Sequence, residues 1–539
     1  MRISAKRLPQ EQKRFLNPAR LHTAVRRLAL AQVMTVSMFT HAYNKIPALA
    51  VLLGSVFAVD AFAADPTPGL EQVVQETILN NPEVRARYHD FRSTMEGQKV
   101  ARGAYLPQVD AQGWVGREYR SNMPGVGSYD WNRPGYNLEL RQLIFDGFKT
   151  PNSVKQLGFE KLASYYELLA TTDNVAAETA RAYLDVQRQR ELESLARDNY
   201  RLHENTLRQI RERADSGVGR RVDLEQAVGR LALAQSNWMT ETSNLLDVEQ
   251  RYRRIVGAEA PKALPAAPSM ASQLPAGTQN FSEAMRRNPS FRAKQALIQA
   301  ARAGMDVARG NFSPTLELRA STGRDRQDYD QDRRTQSSSV QLVMSYNLYR
   351  GGADSARLRQ TTEQMYAARD VRDYTCRNVQ QELSIAWNNV ARLREQIPFL
   401  REHQQATLKV RDGYRQQFQI GQRSLMDLLD TEGELFDANR ALASAEYDMV
   451  NAQYRWLALS HRILPALRLA QPNESERPEE ERGLETDDEL MALCDTKVSD
   501  TRLLQPVDVK YREGALPPTL VPRQDKPVGS VNGKPVALK

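Results

Sequence analysis

Two cysteines, Cys376 and Cys494, and six scattered histidines in 539 residues leave little material for redox or metal chemistry. No histidine stands in ligand spacing to another or to a cysteine, so the pattern offers no zinc site. No phosphate-binding glycine loop and no nucleophile–base pair is present, and the isolated acids fall on helix surfaces, which argues against an enzyme. Long apolar runs are missing as well. Beyond residue 63 nothing reaches the ~18–20 apolar residues that a membrane-crossing helix needs. No cysteine precedes Cys376, so there is no residue at which an exported chain would take a lipid anchor. Nothing in the cysteine spacing decides between one bridge and two separate thiols, although an oxidising compartment would permit the bridge.

A net charge of +8 suggests nucleic acid until its position is examined. Residues 1–63 hold nine Lys/Arg and two acids, and the rest of the chain holds 65 basic against 64 acidic residues. The basic excess belongs to the leader, so no nucleic-acid partner is implied. Within that leader, Lys45 precedes an apolar stretch from Ile46 to Phe62, which ends in Ala61-Phe62-Ala63 before Ala64-Asp65. A basic flank, a short apolar segment and a small-x-small site make a cleaved export signal over 1–63. The basic region is long for that purpose; an extended signal, or a start at Met34 or Met38, would account for it.

What the chain has in abundance is repetition. Gly97-x-x-Val100-Ala101-Arg102-Gly103-x-Tyr105-x-Pro107 recurs as Gly304-x-x-Val307-Ala308-Arg309-Gly310-x-Phe312-x-Pro314, and Asn81-Pro82 recurs as Asn288-Pro289, at an offset of 207. Further on the offset is 204: Asn174-Val175, Tyr183, Gly217 and Asp223-Leu224 match Asn378-Val379, Trp387, Gly421 and Asp427-Leu428. The mature chain is a tandem duplication of structural units. Its expected layout is a first repeat over 64–256, a connector over 257–279, a second repeat over 280–463 and a largely extended or disordered tail over 464–539.

Each repeat follows one plan. A first helix is expected over 68–103 and 280–310. Two segments of alternating polarity follow it. Val109, Ala111, Gly113 and Val115, then Tyr136, Leu138 and Leu140, alternate with polar residues in the first half. Leu316, Leu318 and Ala320, then Val340, Leu342 and Met344, do so in the second. Period-two alternation is strand behaviour, and about ten residues suffice for a tilted strand to cross a bilayer. Polar loops are expected near 118–135 and 322–337. A very long amphipathic helix follows, over 151–215 and 353–417, with a kink expected at Pro398. Glycine turns at Gly217 and Gly421 lead into further helices over 222–256 and 425–463. The fold class is mixed and mainly α: a long helical barrel of antiparallel coiled coil, with four strands contributed to a shared transmembrane β-barrel. The sharing is forced, because a bilayer offers no partner for an open strand edge and closed barrels begin at about eight strands.

The repeat, one strand hairpin per half, the segment Tyr346-Asn347-Leu348-Tyr349-Arg350-Gly351-Gly352 and the run from Gly421 to Asp430 resemble the TolC family over roughly 66–463. That resemblance implies a homotrimer with a twelve-stranded barrel held in outer-membrane lipid and a helical tunnel across the periplasm. It also implies partners: a periplasmic adaptor and an inner-membrane ABC transporter. No cofactor is implied. At the periplasmic tip, Asp427 and Asp430 match the acidic rings that narrow the family's entrance. Arg423 matches the basic residue that helps hold it shut, and Asp223 matches an acid of the same network. Phe418 and Val222 stand where the family would place a tyrosine and a threonine, so the latch is expected to be weaker or differently built. Helix capping is the alternative role for Asp223 and Asp427. The Tyr346–Gly352 and Leu425–Thr431 stretches look more like ducts for type I secretion than for drug efflux. Drug efflux, and a pore-less periplasmic coiled-coil adaptor, are the competing functions.

Overall fold

The computed structural model of the chain describes residues 68–123, 127–275, 281–325 and 335–485. The expected export signal lies outside them. Helices α1 (Leu70–Asn80) and α2 (Pro82–Arg102) open the first repeat; α5 (Phe281–Arg287) and α6 (Pro289–Arg309) open the second. The single first helix expected in each half is thus two, split at the repeated Asn-Pro. Proline disfavours helical backbone in the residue before it but suits the first turn of a new helix. Asn81 and Asn288 cap those new helices, accepting from the N–H of Glu83 (2.8 Å) and Phe291 (3.1 Å).

Strands β1 (Gln108–Met123) and β2 (Gly127–Phe145) follow α2, and β3 (Thr315–Asp325) and β4 (Thr335–Ser345) follow α6. They form one antiparallel sheet in the order β1-β2-β3-β4. The strands of the first hairpin, 16 and 19 residues, are longer than expected. The segment read as a polar loop over 118–135 is mostly ladder, with Glu118 opposite Trp131 and Arg117 opposite Asn132. Its glycine, proline and charged residues read as loop, but Pro134 stands opposite Val115 and just beyond the β2–β3 pairing, which begins at Gly135, so no bond to β3 is asked of it.

Two helices of 67 residues dominate the molecule: α3 (Lys149–Asp215) and α7 (Ala353–Gln419). At 1.5 Å per residue each is about 100 Å long. The helix α7 continues through Pro398 without a break. Each long helix turns back into a shorter one, α4 (Arg221–Val256) and α8 (Leu425–Leu459). No helix among the described residues is long and apolar enough to cross a membrane.

The largest core lies at the waist, where the two repeats meet. The repeated stripe Val175, Tyr183 and Val186 on α3, with Val379, Leu383 and Trp387 on α7, is buried there beside Tyr454 and Trp456 of α8 and Phe291 of α6. Burying each such side chain contributes about 1.5–3 kcal/mol. The connector after α4 carries one short 3-10 turn, Ala271–Gln273, and is strapped to this core through its backbone. Tyr183 and Tyr454 donate their hydroxyls to the carbonyls of Pro265 (2.6 Å) and Pro268 (2.9 Å), and Gln453 accepts the Met270 N–H (2.7 Å).

Residues 464–485 differ from expectation. Within them the chain makes short helical turns and buried contacts. After a short helix α9 (Ile463–Ala466), the chain lays helix α10 (Glu481–Glu485) against α6, with Glu480 reaching Gln98 of α2 and Glu481 reaching Tyr166 of α3. Lys161 bonds Gln98 (2.8 Å) and Glu480 (2.9 Å), while Glu481 accepts from Tyr166 (2.6 Å) and Arg292 (2.8 Å). Leu484 is buried. Gly158, the only glycine of α3, makes room: a Cβ there would lie 2.6 Å from both Gln98 Nε2 and Glu480 Oε1. The acidic composition suggested a solvated tail, but Glu480 and Glu481 find the half-buried cations Lys161 and Arg292 instead. The remainder of the expected tail lies outside the described residues. Cys376 is buried and disulfide-bonded; Cys494, on which the question of pairing also depends, lies outside the described residues.

Candidate pore entrance and barrel segment

Both helical hairpins turn in the same way. Gly217 (φ +76°) and Gly421 (φ +78°) adopt the left-handed conformation that only glycine takes without strain. Val218 N–H bonds Arg213 O (3.1 Å) and Gly217 N–H bonds Ala214 O (3.0 Å); Gln422 bonds Gln417 O (2.8 Å) and Gly421 bonds Phe418 O (3.1 Å). These are Schellman ends, and they set α4 and α8 off antiparallel to the long helices before them.

The four acidic and basic residues singled out from sequence sit at these tips in different states. Asp427 closes a capping box on α8: its carboxylate accepts from the Ser424 hydroxyl (2.9 Å) and N–H (3.3 Å), and its own N–H bonds Ser424 Oγ (3.2 Å). The capping role is therefore occupied. Asp223 lies in the first turn of α4, where Arg220 is the N-cap and no side chain caps the helix. Its carboxylate makes no hydrogen bond or ion pair among the described residues. Arg423 stays within its own hairpin, stacked 4.4 Å from the Tyr414 ring, bonded to Gln417 (3.0 Å) and 3.9 Å from Asp427. Asp430, one turn further along α8, is ion-paired with Arg230 of α4.

Arg230 was not anticipated, because it lies outside the turn and matches nothing in the repeat. Arg213, whose guanidinium lies 5.1 Å over the Phe418 ring, likewise matches nothing in the repeat. Phe418, which lacks the hydroxyl of the expected tyrosine, packs beside the tip cluster of Leu207, Ile210, Ala227, Leu425 and Leu429. The tip is thus held by apolar packing and a cation–π contact in place of a hydroxyl bond.

At the other end, the register puts one kind of residue on each face of the sheet. Val109, Leu140, Ala320 and Val340 lie side by side, as do Ala111, Leu138, Thr322 and Ser338. The neighbouring rungs on the opposite face are Asp110, Glu139, Ser321 and Ser339, and Gln108, Arg141, Arg319 and Gln341. The apolar face is uncovered: Val109, Leu138, Val340 and Leu342 are all exposed. The outer edges of β1 and β4 have no partner strand among the described residues. A sheet with one greasy face, one charged face and two open edges suits a wall between lipid and water.

A subunit that combines such a sheet with a 100 Å helical wall defines a class: an outer-membrane channel protein rather than an enzyme. The profile of the outer membrane efflux protein family matches residues 73–258 and 280–459, one match per repeat. The chain is 26% identical to the outer membrane efflux protein BepC of Brucella suis over 439 residues, covering 80% of this chain and 92% of that one. It is 22% identical to the alkaline protease secretion protein AprF of Pseudomonas aeruginosa, covering 74% of this chain and 84% of that one. In fold it resembles the Campylobacter jejuni CmeC outer membrane channel, with a TM-score of 0.67, 15% identity and coverage of 83% of this chain and 98% of that one. The chain belongs to the outer membrane efflux protein family, the TolC-type channels of the outer membrane.

Proposed function

We propose that this protein is the outer-membrane exit duct of a type I secretion system. In this reading three copies close a twelve-stranded barrel, a periplasmic adaptor grips the helical tunnel, and an inner-membrane ABC transporter drives a polypeptide through it. The two-faced sheet with open edges carries the duct reading, since it becomes a sealed wall only when copies join. The secretion reading is supported by the Tyr346–Gly352 and Leu425–Thr431 stretches, by the likeness to a protein named for protease secretion, and by the lack of any cysteine before Cys376 for a lipid anchor. Export by a cleaved signal over 1–63 belongs to the same reading.

The tips would form the gate. Asp223, Arg423, Asp427 and Asp430 line the narrowing, and Gly217 and Gly421 let the helices turn sharply enough to converge there. Opening would require α7 to move against α3, parting Arg213 from Phe418. Drug efflux is the second reading, favoured by the name of BepC. A deletion strain separates the two. Loss of one or more large secreted proteins with unchanged drug sensitivity supports secretion; hypersensitivity to several drugs with an intact secretome refutes it.

A further inference from the structure

Asp430 is the acid that the entrance would be expected to use as a charge. Asp427 spends its carboxylate on the Ser424 cap, whereas Asp430 projects from the second turn of α8 with its side chain 56% exposed. Yet Asp430 has a cation beside it in its own subunit. Three contacts tie α4 to α8 at nearly constant spacing: Gln226 with Met426, Arg230 with Asp430, and Glu241 with Arg440. The uppermost is anchored by burial, since Glu241 is buried and also accepts from Gln189 (2.6 Å). Its polarity is opposite to that of the Arg230 rung, so a slide of α4 by the ten or eleven residues between rungs would set like charges together. Arg230 is therefore held opposite Asp430 by the register of two helices and not by a chance side-chain meeting.

The surroundings agree. Between residues 213 and 230 the chain carries four arginines against three acids, and between 415 and 430 two of each. The two tips together hold no excess of negative charge.

We propose that Arg230 sets the ionic selectivity of the pore entrance by neutralising Asp430 within each subunit, so that the Asp430 ring does not trap multivalent cations. This rests on the duct reading above, in which Asp430 faces the passage. An ion pair this exposed adds little stability; its effect is on the field at the entrance, where each cancelled carboxylate removes attraction for a passing cation.

The test uses the full processed channel in planar lipid bilayers, with lanthanum(III) added on the periplasmic side as the blocking cation. Native channel and R230Q/D430N are expected to require the same lanthanum concentration for half-block within about twofold, because neither carries an uncompensated charge at this rung, whereas D430N leaves the Arg230 guanidinium unpaired and should need roughly tenfold more. R230Q uncovers the ring and should be blocked at roughly tenfold lower concentration or less, an estimate that allows for salt screening. R230Q/D430N should return to the native value, and R230K, which keeps the cation, should stay there. Heat-dependent trimer migration of each variant confirms assembly. An R230Q channel that behaves as native, or an R230Q/D430N channel that needs markedly more lanthanum than native, overturns the role given to Arg230 and leaves the duct reading intact. A native trimer that conducts no ions under any condition overturns the duct reading and this inference with it.

Discussion

Replacing Lys161 by methionine isolates the contact that holds the C-terminal segment to the upper helices. The ammonium touches Gln98 Oε1 at 2.8 Å and both carboxylate oxygens of Glu480 at 2.9 and 3.0 Å. The two charged side chains retain only 12% and 17% of their exposure. Breaking a fully buried pair costs about 3–5 kcal/mol and an exposed one about 0–1 kcal/mol, so this nearly buried pair should cost about 2 kcal/mol. The loss is local, because residues 478–485 close over α3 as one short unit. It should appear as opening of that unit without unfolding of the channel. About 1.4 kcal/mol is a factor of ten, so the amides of Arg482 and Gly483, bonded to Glu479 and Glu480 carbonyls, should exchange hydrogen for deuterium about 30-fold faster. Mass spectrometry of the native trimer in detergent reads this directly. E480Q removes the charge left unpaired by K161M, so K161M/E480Q should exchange more slowly than K161M alone. Equal exchange in native protein and K161M, or strictly additive effects in the double variant, would refute the account.

Acid should release the same segment. Burial works to raise the pKa of Glu480 and of Glu481, but hydrogen bonds from Gln98 and Lys161, and from Arg477 and Tyr166, outweigh it and hold both below the ordinary 4.5. Their contribution is complete above that ordinary value and is lost as pH falls through the lower folded-state values. Protease cleavage after residue 472 should therefore rise as pH falls below 4.5 and not between about pH 6 and 8. Gly421→Ala forces an L side chain into left-handed backbone and should cost about 1–2 kcal/mol at the tip, read as faster amide exchange in residues 417–425. Asn288→Ala removes both the α6 cap and the bond to Leu459 O (2.9 Å); with the site buried, a loss of about 2 kcal/mol in waist stability is expected, measured as a lower trimer-dissociation temperature.

The sequence displayed the elements whose information is local or periodic. The 207- and 204-residue offsets fixed the repeat, and α3 and α7 occupy matching positions, Lys149–Asp215 and Ala353–Gln419. Gly217 and Gly421 announced the tips because left-handed backbone has one natural occupant. What was hidden depends on partners far away in the chain. Residues 118–135 look like loop until Glu118 is seen paired with Arg133 (2.9 Å), itself joined to Asp325 from the other repeat. Glu480 and Glu481 look like a solvated acidic run, because Lys161 and Arg292 lie over 180 residues away. Arg230 is invisible for the same reason. A single arginine on a helix rich in arginine gains meaning only when α8 is placed beside it.

The open edges of the sheet and the uncovered faces of the helices make the same demand. Among the described residues β1 and β4 each leave one row of backbone groups without a partner strand, which hydrocarbon cannot tolerate. On α7, Tyr374, Ile385, Phe399 and Val410 are all exposed. Their spacings of 11, 14 and 11 residues are close to whole turns of a helix, so they form a single stripe about 50 Å long with no cover among the described residues. Covering that stripe with a neighbour's helix brings the neighbour's sheet alongside, because each long helix is joined to its strand by a turn of a few residues. A partner that satisfied only the sheet would leave the stripe in water, and one that satisfied only the stripe would leave the edges in lipid. Another copy of this chain, related by rotation about the tunnel axis, does both at once; repeated until the ring closes, that operation makes the barrel and the tunnel one continuous wall.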